Sequence, residues 1–219
     1  MNRKSIAQEY YILVTDKYGM LPAMNREEAG AGLAAAAFME LLAAGVIEEE
    51  QKKTVVVKDL PAELEYLRPL YVYLREKHCY ANRIMTDWHS GSRCRQLMEL
   101  IGRSLQEAGL AKAEEGGLFR PKQVYIPEKK YKEELIGTLK AVITEEEEMT
   151  SQDMALLCIL QESRNLNPFF SKDEKRKLKK QMNELKQNPR NEKLAEMIGY
   201  ITYMEDMATY VFLTSITSN

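Results

Sequence analysis

Apolar residues recur at spacings of three and four along most of the chain. Ile6, Tyr10, Leu13 and Val14 share one helical face, and Asp16-Lys17-Tyr18-Gly19 predicts the turn that ends that helix. A second helix is predicted from Asn25, a capping residue followed by Glu27 and Glu28, where the helix dipole favours anions. It runs through an alanine-rich segment to Gly45, which is placed for a left-handed C-terminal cap. Glycine and alanine between 30 and 37 let a neighbouring helix approach closely, which makes this a central element.

From Val46 to Lys58 the period changes. Thr54-Val55-Val56-Val57 lies opposite Val46-Ile47 across a charged turn and predicts a β-hairpin. A helical stretch starts at Pro61 and carries Leu64, Leu67, Leu70, Tyr71 and Leu74. Another begins near Ser90, places Leu97, Ile101 and Leu105 on one face, and ends at Gly109. Leu110 to Ile126 again predicts a hairpin, with Gly116-Gly117 at its tip. The order of apolar helix, glycine, apolar pair and hairpin therefore occurs twice.

Beyond Lys129 the pattern is helical throughout. Leu135, Leu139 and Val142 mark one helix, and Met154, Leu157, Cys158 and Leu160 the next. Leu194, Met197, Ile198, Ile201, Met204, Ala208 and Val211 mark the last. No linker rich in proline, glycine or serine divides the chain. The expectation is a mainly α protein, a single-domain helical bundle with two short β-hairpins over residues 1–219.

Composition narrows the class. Over 219 residues, 31 Lys and Arg stand against 33 Asp and Glu, a net charge of -2, so any contact with phosphates must come from a local patch. The longest apolar stretch, Ala29 to Ile47, is interrupted by Glu40 and is too rich in alanine and glycine for a membrane span. Cys79, Cys94 and Cys158 form no disulfide framework, and reduced thiols of a cytoplasmic protein are expected.

Catalytic chemistry is thin. No nucleophile elbow, phosphate-binding loop or dinucleotide fingerprint is present, and two histidines leave few general bases. His78-Cys79, His89 and Cys94 lack the paired spacing that fixes zinc ligands. The expectation is a protein that is not an enzyme, with no cofactor and no metal. Basic residues are more informative. From Lys172 to Lys186 seven cations face three acids, which is read as solvated helix surface able to touch phosphates. Between Arg83 and Lys130 nine basic residues face six acidic ones. On the helix after Ser90, Arg95 and Arg103 fall away from the apolar face, near the hairpin that carries Arg120 and Lys122. Guanidinium groups beside a helix N-terminus suit a phosphate, because the fork and the free backbone donors both match its oxygens.

The ordered set of Asp16-Lys17-Tyr18-Gly19, the Gly32 to Leu41 helix with Ala44-Gly45-Val46-Ile47, Thr86-Asp87-Trp88, Leu97 to Leu110 and Pro121 to Pro127 resembles the Golgi phosphoprotein 3 family, whose domain also occurs in bacteria. The resemblance covers nearly the whole chain. It implies a mostly helical single domain, recognition of phosphatidylinositol 4-phosphate on cytosolic membrane faces, and adaptor contacts with the cytosolic tails of membrane proteins. The family's head-group pocket uses a tryptophan, an arginine in the small-residue helix, and two arginines one turn apart before the second hairpin. Carried over, Asn25 stands at the tryptophan position and Ala34 at the first arginine, Arg95 matches one later arginine, and Met98 replaces the other. Arg26 and Arg93 are the residues placed to substitute in space.

The expected site is therefore Arg95, Arg93, Arg26, Asn25 and Arg103, and the expected partner an anionic phospholipid head group. That head group is phosphatidylinositol 4-phosphate or a generic anionic lipid, bound peripherally from the cytoplasm. Homo-oligomerisation through the 110–126 hairpin is a further expectation; nucleic acid is not expected. The alternative from another class is a winged-helix-like regulator or a protein-protein adaptor without lipid binding.

Overall fold

The computed structural model describes residues 3–50, 53–77, 81–116 and 122–187, and every structural statement below refers to these. Helices account for 65% of them, with two antiparallel two-stranded sheets, so the chain is mainly α.

Helix α1 (Ile6–Val14) is mostly apolar and is buried at every position but Gln8. Ser5 caps it in a reciprocal capping box with Gln8. Helix α2 (Arg26–Ala43) is buried from Ala29 to Met39 and packs against α1, as its small residues predict. Gly32 makes that packing possible, because a Cβ there would stand 2.0 Å from the Tyr10 hydroxyl oxygen. Asn25 does occupy the cap position of α2, but its side chain does not cap. It donates instead to Asn165 Oδ1 at 2.9 Å.

Strands β1 (Ile47–Glu50) and β2 (Lys53–Val56) form the first hairpin, with Ile47 opposite Val56. The following helical stretch divides in two: a 3-10 turn over Ala62–Leu67, then α3 (Arg68–Lys77). Pro69 explains the change, since it has no N–H with which to continue one helical ladder through the junction. Helix α4 (Ala81–Trp88) is an element that sequence periodicity did not predict. Among its described side chains Ile84 and Trp88 anchor it in the core, too few for a pattern to register.

Helix α5 (Gly91–Glu107) then leads to strands β3 (Ala111–Gly116) and β4 (Lys122–Pro127), paired from Ala111–Pro127 to Gly116–Lys122. The two helix-glycine-hairpin units are built alike. Gly45 and Gly109 adopt φ of +63° and +72°. In each, the next N–H reaches back into the helix, Val46 to Leu41 at 2.9 Å and Leu110 to Leu105 at 2.8 Å.

Helices α6 (Lys129–Ile143), α7 (Ser151–Glu162) and α8 (Lys172–Gln187) follow. The acidic run Glu145 to Glu148 is exposed and precedes a Thr150–Asp153 capping box. The predicted helix over 194–211, the second hairpin's tip at 117–121, and Cys79 lie outside the described residues. One hydrophobic core cluster extends from Ile6 to Met182 and includes side chains of every helix.

Candidate head-group site

Helix α1 runs antiparallel to α5, because Gln8 reaches Ser104 while the Tyr11 hydroxyl reaches the Tyr125 carbonyl, whose ring lies on Gly102. The N-terminus of α5, the C-terminus of α1 and the N-terminus of α2 therefore share one end of the bundle. A Cβ on Gly30 would stand 2.0 Å from the His89 carbonyl oxygen and 3.2 Å from Cys94 Sγ. Glycine at 30 is what lets α2 meet the corner between α4 and α5 directly.

Arg95 is exposed on the second turn of α5 and has no ion-pair partner among the described residues. Ser90 stands at the cap position without a side-chain cap bond, so its hydroxyl satisfies none of the first-turn N–H groups of α5. The Ser90 hydroxyl instead contacts His89 Nε2 at 3.2 Å, while His89 Nδ1 lies 3.0 Å from the Thr86 carbonyl. No acidic residue falls in the first turn of α5.

Arg93 takes a different direction. Two residues on a helix are about 200° apart around its axis, so Arg93 and Arg95 leave opposite flanks of α5 with buried Cys94 between them. Arg93 Nη1 is 3.3 Å from Asp87, and its guanidinium lies 5.1 Å from the Tyr73 ring and 5.9 Å from the Trp88 ring. Asp87 also accepts from the Tyr73 hydroxyl at 2.8 Å and from Arg83 at 3.3 Å. This arginine is a brace for the α3–α4–α5 corner.

Arg103 is separated from Arg95 by eight residues, roughly 12 Å along α5. It is held by Glu99 at 2.7 Å and interacts with the Tyr125 side chain of β4. Arg26 is exposed one turn before Gly30 on the same helical face and has no ion-pair partner among the described residues. Ala34 is buried, and Met98 is half-buried on the Arg95 side of α5. The structure thus brings Arg95 and Arg26 to the same end as available cations, commits Arg93 and Asn25 to internal contacts, and keeps Arg103 apart.

Tyr18, Met20 and Met24 project from the loop between α1 and α2, with Lys17 Nζ 5.0 Å from the Tyr18 ring. Gly19, at φ +70°, presses against the Tyr125 backbone and anchors that loop to β4. Periodicity could not reveal these residues, because exposure of a loop side chain leaves no repeat. Of the cysteines, Cys94 and Cys158 are buried free thiols, and burial pushes the Cys94 thiol up to about 11. Among the described residues no helix is long and apolar enough to cross a membrane, and no group of three potential ligands is arranged for a metal.

The family model described as Golgi phosphoprotein 3 (GPP34) matches residues 6–201. No curated protein matches the chain. The matched span begins at the first residue of α1 and passes beyond α8, so it takes in every element described above; the chain belongs to the Golgi phosphoprotein 3 family.

Proposed function

We propose that this chain is a non-enzymatic binder of anionic phospholipid head groups that attaches peripherally to membranes. The observation that carries the reading is Arg95: an exposed, unpaired guanidinium beside the uncapped N-terminus of α5, in a chain of this family. A phosphate there would accept from the guanidinium fork and from first-turn backbone N–H groups, and the helix dipole would favour its charge. Arg26 adds a second cation from α2, and Tyr18, Met20 and Met24 supply apolar contact with the interfacial region of a bilayer. Each cation near an anionic surface contributes about 1 kcal/mol, so attachment is reversible and salt-sensitive. With alanine at 34 and methionine at 98, fewer arginines converge than in the family's phosphatidylinositol 4-phosphate pocket, which favours a generic anionic lipid over that one head group.

Burial of α2 along its length supports this reading over the winged-helix alternative, since a recognition helix must present a face to the groove. Co-sedimentation with phosphatidylcholine vesicles containing phosphatidylserine, with and without phosphatidylinositol 4-phosphate, tests the function. Arg95→Ala should weaken association about tenfold or more, as expected for loss of a charge-assisted hydrogen bond of roughly 1.5–3 kcal/mol. Equal binding by both proteins would remove the site. Absence of wild-type binding at low salt would remove the lipid function and leave the adaptor reading ahead.

A further inference from the structure

A second cationic feature lies where the C-terminal turn of α7 faces α8, beside the N-terminus of α2, which Asn165 and Arg164 reach through Asn25 and Glu28. A cleft of about 370 Å³ opens there, lined by Gln161, Arg164, Leu166, Asn167, Lys175 and Lys179. Leu166 is buried and forms an apolar floor. Three cations and two amides make up the rest of the lining.

The cations are held toward the cleft by local structure. Lys175 and Lys179 are one turn apart on α8, so their side chains leave the same face about 5–6 Å apart at Cβ. Lys175 Nζ donates to Asn167 Oδ1 at 2.7 Å, which fixes its head at the wall. Neither lysine has an ion-pair partner among the described residues, although α8 pairs Arg176 with Asp173 and Lys180 with Glu184 on its outer faces. Like charges at this spacing repel, and Asn167 Oδ1 is the acceptor described beside Lys175.

Arg164 adds an independent observation. It adopts φ +58°, a left-handed conformation that a non-glycine residue occupies at a cost. The conformation ends α7: Arg164 N–H reaches Gln161 and Asn165 N–H reaches Leu160 at 2.8 Å, the arrangement in which glycine is the usual residue. The chain thus carries a guanidinium where backbone chemistry favours no side chain. The acids beside the cleft are Glu28, 3.8 Å from Arg164 in an exposed pair, and Glu162, which accepts from Gln161 at 3.1 Å. Both leave the three cations in excess.

We propose that this cleft binds a phosphate-bearing anion, with Arg164, Lys175 and Lys179 as its ligands and Gln161 as a further donor. The ligand is a single phosphate group, free or as an exposed lipid head group, and no residue lining the cleft belongs to the site at Arg95. The basic character of residues 172–186 thereby acquires a specific role: two of its seven cations line a cavity rather than open solvent.

The test is amide chemical-shift titration of the full chain with inorganic phosphate, and separately with a soluble short-chain phosphatidic acid. Perturbation of residues 161–179 by inorganic phosphate supports a soluble phosphate ligand. Perturbation by the short-chain lipid alone supports a head-group site. In either case the response should weaken at least tenfold in Arg164→Gly and in the Lys175→Gln, Lys179→Gln double variant, and should persist in Arg95→Ala. Arg164→Gly relieves the left-handed backbone, so it should fold at least as well as wild type and isolate the loss of the guanidinium. No perturbation by either probe, or a response unchanged in both variants, overturns the proposal. Failure of vesicle binding in Arg95→Ala leaves it standing.

Discussion

Gly102 shows what a single hydrogen in place of a methyl group does here. A Cβ at that position would stand 2.5–2.7 Å from three atoms of the Tyr125 side chain, so α5 and β4 touch only because it is absent. Gly102→Ala should lower stability by about 1–3 kcal/mol in urea unfolding, as overpacking of a close contact does. Arg3 makes a complementary case. It links fully buried Glu9, at 2.7 Å through two nitrogens, to buried Asp153 at 2.5 Å. Arg3→Met would leave two buried carboxylates without their cation and should cost roughly 3–5 kcal/mol in the same assay. Neither role was legible in the sequence. Gly102 fell inside a predicted helix face and Arg3 among polar residues before the first helix, because a pattern along one chain says nothing about which side chain arrives from elsewhere. Asn25 was misread for the same reason: its type suits a cap, but Asn165, distant in sequence, claims its amide.

At the scale of elements, both helix-glycine-hairpin units were legible, since the signal is local: an apolar period, a glycine that accepts φ above zero, and a β-branched return. Helix α4 was not, and the 3-10 turn before Pro69 was read as continuous helix. Glu40 presents another case. In the sequence it interrupts an apolar stretch; in the fold its carboxylate accepts from the Ile6 N–H at 2.5 Å and so caps the N-terminus of α1 from α2. Burial raises its pKa from the ordinary value of 4.5, against the Ile6 and Ala7 N–H groups, which lower it, while nearby Glu9 raises it. A carboxyl raised in the folded state contributes most when protonated. That contribution is fully present below its unfolded-state value and is lost as pH climbs through the raised one. Glu40→Gln stays neutral throughout. The stability of wild type relative to this variant should therefore decline as pH rises above about 4.5, read as urea midpoints across a pH series.

Over the whole molecule, a net charge of -2 gives no long-range pull toward anionic surfaces, so binding must come from cations collected at particular places. Raising salt should reduce vesicle attachment steeply, because a screening length near 8–10 Å at ordinary ionic strength removes what few exposed arginines supply. Compactness makes a second expectation. Cys94 and Cys158 are buried, and the Cys94 thiol is pushed up to about 11, so both should resist alkylation at neutral pH in the native protein and react on unfolding. Mass spectrometry after a short exposure to iodoacetamide would read this directly. The candidate site was only partly legible at this scale. Arg95 could be selected from charge and family pattern together, whereas the diversion of Arg93 toward Asp87 depends on α4, and the α7–α8 cleft depends on a left-handed arginine that no composition reveals.

The contacts of α1 also set a timetable for making the protein. Gln152 donates to the Lys4 carbonyl, and Arg3 meets Asp153 across a separation of 150 residues. At synthesis rates of about 5–20 residues per second, the first helix emerges from the ribosome roughly 8–30 s before these partners exist. Through that interval Ile6, Tyr10, Tyr11, Ile12, Leu13 and Val14, all buried in the finished fold, have only part of their cover. Nascent chains arrested before α7 should accordingly stay sensitive to protease within α1 and be held by chaperones. Chains long enough to release α7 should become resistant.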